Sequence, residues 1–191
     1  MNGSALSLAL APALRGARVR VLHDLSDAAQ AAAFHPADDV VMGGRSSSRL
    51  EPRAGGAAFA GQLSLANGGG FAAVRTRPAR LDLSAFDGLA LRVRGDGKRY
   101  RLELRVQGEA EGLGWQAAFD TAAGEWMTVA VPFSSFAAVW RGRELPGAER
   151  LDTRRLSTLG LLVADRQAGP FALEVAALAA FAGALDGLRL A

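Results

Sequence analysis

A chain of 191 residues, half of them apolar, is the size that one hydrophobic core can serve. With no cysteine, disulfides, thiolate zinc sites, iron–sulfur clusters and a cysteine nucleophile are excluded, and a cytoplasmic location is expected. The formal net charge is only +3, carried by arginines except for Lys98, and no run of about 18 apolar residues offers a membrane-spanning helix.

Residues 1–17 (MNGSALSLALAPALRGA) are apolar, and Ala11-Pro12-Ala13 weakly mimics a cleavage site. No Lys or Arg precedes the apolar run, as a secretory signal requires, so the segment reads as a leader or irregular N-terminus. A single domain is expected over 18–191. Arg18 to Leu25 alternates Val19 and Val21 against Arg18 and Arg20, the pattern of a half-buried strand. Ser26-Asp27 then meets AAQAAAF, a capping side chain ahead of good helix formers, which predicts one or two helical turns ending at Pro36.

Asp38 to Ser48 (DDVVMGGRSSS) reads as a tight polar loop between two strands. Gly43 and Gly44 allow positive φ or a close backbone approach, and the serines hydrogen-bond readily to nearby backbone. Short β patterns follow, separated by turns: Ser47 to Glu51, Ala57 to Ala66, Phe71 to Arg77 and Leu89 to Arg94. Gly95-Asp96-Gly97 joins the last of these to Arg99 to Gln107, and Trp115 to Thr121 pairs with Trp126 to Phe133. Ser134 to Leu156 is expected to cross irregularly, with a helical turn at Ser134 to Phe136. Leu159 to Asp165 is apolar enough for burial on both faces, and Phe171 to Leu178 closes the series. The tail AAFAGALDGLRLA fits a strand end or a short helix. Many short strands and few short helices predict an all-β antiparallel sandwich or barrel, with Leu91, Val93, Leu102, Leu104 and Val106 in its core.

Chemistry is sparse. Asp38 and Asp39 are adjacent, so on extended backbone they point apart and make a poor acid–base dyad. One of them would suit Ca²⁺ with loop carbonyls; the simpler role for Asp39 is to cap loop N–H groups. His23 and His35 lack metal-ligand spacing, the serines lack a nucleophile elbow, and neither glycine run is followed by the Lys of a P-loop. No catalytic residue, metal or cofactor is expected. Arg75, Arg77, Arg92, Arg94, Arg101 and Arg105 form one basic face if their strands are neighbours, unless Glu103 and nearby acids pair them off. With Tyr100 the lone tyrosine, stacking platforms for nucleic acid are scarce, and none is expected to bind. Trp140 is the tryptophan best placed, by its irregular context, to line a surface site.

The string at Asp38, Asp39, Val41, Met42, Gly43, Gly44 and Ser46 to Ser48 resembles the signature loop of the complex I intermediate-associated protein 30 family. The resemblance continues, in family order, through Phe59 to Leu65, Asn67 to Phe71, Phe86 to Tyr100 and Gly124 to Phe136. It ends with Trp140 to Gly142 and Gly160 to Leu173, covering about residues 22–178. Where the family commonly has a Trp shortly before the Asp, this chain has Phe34, His35 and Pro36. The resemblance implies a galactose-binding-like jelly-roll sandwich and a non-catalytic, chaperone-like assembly role with a protein partner connected to respiratory complex I. The alternative is a carbohydrate- or small-ligand-binding jelly roll. The candidate binding site comprises Asp39, Met42, Gly43, Gly44 and Ser46, with Trp140 and Arg141 flanking the loop.

Overall fold

Alternating apolar and polar residues need two packed layers to bury one face of each strand. In the computed structural model, which describes residues 16–183 apart from the side chain of Val41, two antiparallel sheets supply those layers. The first half of the chain forms β1 (Arg18–Asp24), α1 (Ala28–Ala31), β2 (Phe34–Pro36), β3 (Ser47–Arg53), β4 (Gly56–Leu63), β5 (Ala72–Thr76) and β6 (Gly88–Arg94). The second forms β7 (Arg99–Val106), β8 (Leu113–Asp120), β9 (Trp126–Pro132), β10 (Ala137–Trp140), β11 (Arg143–Glu144), β12 (Leu156–Val163) and β13 (Gly169–Ala182). One sheet runs β3-β4-β13-β6-β9, with β1 also paired to β13; the other runs β11-β10-β8-β7-β12-β5-β2. This is the jelly-roll sandwich that the family resemblance implies, although β8 and β9, expected to pair with each other, fall in different sheets.

Leu91, Val93, Leu102, Leu104 and Val106 lie in the core between the sheets, with Phe59, Tyr100, Leu159 and Leu161. Each such apolar side chain contributes roughly 1.5–3 kcal/mol through burial. The strand β13 is longer than its sequence pattern suggests, because it pairs with β4 at one end, with β1 at the other, and with β6 along the far edge. The crossing after Phe133 is less irregular than expected. A 3-10 turn at Phe133–Ser135 leads into β10 and β11. Asp27 caps α1 as predicted, accepting from Ala29 N–H at 2.9 Å. The leader up to residue 15 and the tail from 184 lie outside the described residues.

Candidate functional site

The segment after β2 winds into a 3-10 turn, Asp39–Met42, closed by Gly43 at φ 87°. Two carboxylates brace it. Asp39 is fully buried and accepts from Ser46 N–H (3.0 Å), the Ser46 hydroxyl (2.7 Å), Gly70 N–H (2.7 Å) and Phe71 N–H (3.3 Å). Burial by itself pushes this carboxyl up, but the bonds from Gly70 and Ser46, with a smaller one from Phe71, outweigh it and hold Asp39 below the usual carboxylate range. Asp38 accepts from Ser48 N–H (2.8 Å), the Ser48 hydroxyl (2.6 Å) and Ala73 N–H (2.9 Å). The two adjacent acids thus point to different partners, and together they tie β3 of one sheet to β5 of the other.

Gly44 and Gly69 are required by the same carboxylate. A Cβ on Gly44 would lie 2.2 Å from Asp39 Oδ1, and one on Gly69 would lie 2.5 Å from Asp39 Oδ2. The sequence blocks DDVVMGGRSSS and NGGGF are therefore one structural unit, the second supplying the N–H groups that the first needs. Asn67 closes the unit with a side-chain bond to the Gly43 carbonyl at 3.2 Å.

This geometry revises the expected site. Asp39, Gly44 and Ser46 lie beneath the surface, where they hold the turn. What the turn presents is apolar: Val40 and Met42 are each 59 % exposed, and Gly43 is exposed beside them. Trp140 and Arg141 do not flank the loop. Trp140 ends β10 and Arg141 follows it, and β10 is separated from β2, the strand leading into the loop, by β8, β7, β12 and β5. Five strand spacings make about 24 Å. Arg141 instead stacks over the Trp140 ring at 5.5 Å.

The single basic face is also not formed. Arg92 and Arg94 project from β6 on the outside of one sheet and lie over the Trp126 ring at 5.8 and 5.3 Å. Arg94 also pairs with Glu174 at 2.8 Å. Arg75, Arg101 and Arg105 project from the other sheet, because β5 and β7 belong there. Arg75 and Arg105 converge on Glu103, at 2.9 and 3.1 Å, and Arg101 pairs with Asp165 at 2.6 Å. Glu103 is only 2 % exposed although it sits on the outward side of its strand, covered by the arginines it neutralises. Arg77 donates to His35 Nε2 at 2.8 Å, and His23 meets the Phe34 ring edge-on at 5.1 Å. No group of three or more acids and histidines suited to a metal occurs among the described residues.

Sequence reading missed a cavity of about 700 Å³ at the β10–β11 end of the molecule. Trp115, Phe136 and Ala138 line its buried side, and Phe86, Phe133 and Leu151 contribute further apolar wall. Asp87, Glu144, Glu149 and Arg150 add charge to its lining. Phe86, Asp87, Phe133, Ser134 and Phe136 fall in two of the family blocks, but nothing in the sequence brought those blocks together.

The architecture defines a class, the galactose-binding-like jelly-roll sandwich. A family 11 carbohydrate-binding module from Clostridium thermocellum, solved with a mixed-linked tetrasaccharide, superposes with a TM-score of 0.62 at 17 % identity. The match covers 87 % of this chain and 96 % of that one. An agarase matches at TM-score 0.61 and 13 % identity over 88 % of this chain but 25 % of its own. At such identities the likeness is one of fold alone. The family is given by sequence: the profile of Complex I intermediate-associated protein 30 matches residues 23–175, and the chain belongs to that family.

Two relatives agree, both called Complex I intermediate-associated protein 30, mitochondrial. The Drosophila melanogaster protein is 29 % identical over 69 % of this chain and 52 % of its own length. The Mus musculus protein is 32 % identical over 52 % and 31 %, respectively. The chain thus spans about half the length of the fly relative and under a third of the mouse one. Their mitochondrial designation overturns the cytoplasmic location expected above. Absence of cysteine shows that no disulfide is needed, which is a weak guide to compartment.

Proposed function

We propose that the chain is a non-catalytic protein-binding module that assists assembly of respiratory complex I, and that it grips an assembly intermediate through the Val40–Met42 turn. Family membership supports the complex I connection. The observation that carries the turn is the contrast between its exposed apolar tip and its buried polar base. Seven hydrogen bonds to Asp38 and Asp39 fix the backbone, while Val40 and Met42 stand in solvent. A fixed apolar projection loses little conformational entropy on docking, and the thioether of Met42 adapts to an irregular pocket.

The test is a double substitution, Val40→Ser with Met42→Ser, in the purified chain immobilised against detergent-solubilised complex I assembly intermediates. Both side chains are exposed, so the melting temperature should stay within about 2 °C of the parent. Capture should fall at least about tenfold, equivalent to ~1.4 kcal/mol. Undiminished capture by the double variant would remove the turn from the interface. The carbohydrate alternative is less favoured by the half-buried tryptophans, since Arg92 and Arg94 lie over the Trp126 ring and Arg141 over the Trp140 ring.

A further inference from the structure

The cavity at the β10–β11 end differs in character from the rest of the molecule. Its described lining carries three carboxylates, Asp87, Glu144 and Glu149, against one guanidinium, Arg150, on a chain whose net charge is +3. None of these four forms a salt bridge among the described residues. Behind them the floor is apolar and fixed. Trp115 is 5 % exposed and its indole N–H is held by both Glu109 carboxylate oxygens at 3.1 Å, so the ring offers only hydrocarbon to the cavity. Leu145 stands 42 % exposed at the rim. One aromatic wall already holds a cation: the Arg18 guanidinium lies 4.9 Å from the Phe86 ring centre.

Alongside the cavity runs β11, which pairs only with β10 among the described residues and so leaves its other edge open to a further strand. A volume of about 700 Å³ lies within the range that buries a ligand or a peptide anchor. Apolar depth, acidic rim and an open strand edge in one place call for an extended chain with a bulky apolar side chain between basic ones. We propose that this cavity is a second docking site, taking an extended basic segment of a partner protein, with its apolar side chain against Trp115 and Phe136 and its main chain beside β11. The proposal rests on the reading of the chain as a protein-binding module, but not on the Val40–Met42 turn.

The probes are two synthetic peptides, acetyl-Lys-Trp-Lys-Val-Lys-amide and its charge-reversed form acetyl-Glu-Trp-Glu-Val-Glu-amide. Each is titrated into the isotope-labelled chain and followed by the amide signals of Glu144 to Leu151 and the indole N–H signal of Trp115. The basic peptide should shift these signals saturably and bind at least tenfold more tightly than the acidic one. Ala148→Trp, which fills the cavity from an exposed position, should abolish the shifts while leaving the rest of the spectrum in place. Glu144→Lys with Glu149→Lys should weaken the basic peptide at least tenfold and spare Val40 and Met42. Equal binding of the two peptides, absence of saturable shifts, or binding unaffected by Ala148→Trp would each overturn the proposal. So would shifts at Glu144 to Leu151 that follow the concentration of the chain alone, which would mark a self-contact. Capture of complex I intermediates reads the turn separately, so either site can fail without the other.

Discussion

Asp39 is the residue on which the loop depends, and its action is structural. A buried carboxylate that accepts four hydrogen bonds cannot be replaced by an amide without turning the amide NH₂ toward N–H donors. Asp39→Asn should therefore cost about 3 kcal/mol, lowering the melting temperature by roughly 6–12 °C in a chain of this size. The pH dependence has a definite sign. Because the folded-state pKa is depressed, the stabilisation is complete above the unfolded value of about 4 and is lost as pH falls through the lowered folded value. Parent and variant should differ most near neutrality and converge in acid, as read by urea denaturation at a series of pH values. A variant as stable as the parent at neutral pH would contradict the assignment.

The turn Asp39–Met42 depends on Gly43 in a different way. At φ 87° the backbone is left-handed and its Cβ direction is open, with no atom within 4 Å. The penalty for a side chain there is conformational rather than steric crowding from neighbours. Gly43→Val should destabilise by about 1–3 kcal/mol, since a β-branched residue is strongly disfavoured at positive φ. Gly43→Asn should recover much of the loss, because Asn tolerates that region. Thermal melts of the pair check this ordering; equal destabilisation by both would point to crowding instead.

Across the whole molecule, Asp38 acts as a strap between layers. It receives Ser48 N–H from β3 and Ala73 N–H from β5, strands of opposite sheets. Asp38→Asn should raise hydrogen exchange at Ser48 and Ala73 together, while the central pairing of β6 with β13 remains protected. Faster exchange confined to one sheet would show that the two layers are held independently of this contact. The same long-range wiring separates the arginines: β6 and β7 are consecutive in sequence, yet the Gly95–Lys98 connection carries the chain from one sheet to the other.

Alternation of apolar and polar residues was sufficient to locate most strands, the core faces of β6 and β7, and the all-β antiparallel class, because period-two patterning is a local property that burial imposes on each strand. The family was likewise legible in the spacing of Asp38, Asp39, Gly43, Gly44 and the serines. Partnership between strands was not. Which arginines share a face, how far Trp140 lies from the loop, and how β10, β11 and the Phe133–Phe136 block enclose a cavity all follow from sheet order, which joins residues far apart in sequence. Asp39 shows the division within one side chain. The sequence marked it as a polar residue with a local cap to make, and the fold brought Gly70 and Phe71 to it from more than thirty positions away. The carboxylate accepts both of their N–H groups, a pairing that only the tertiary fold could arrange.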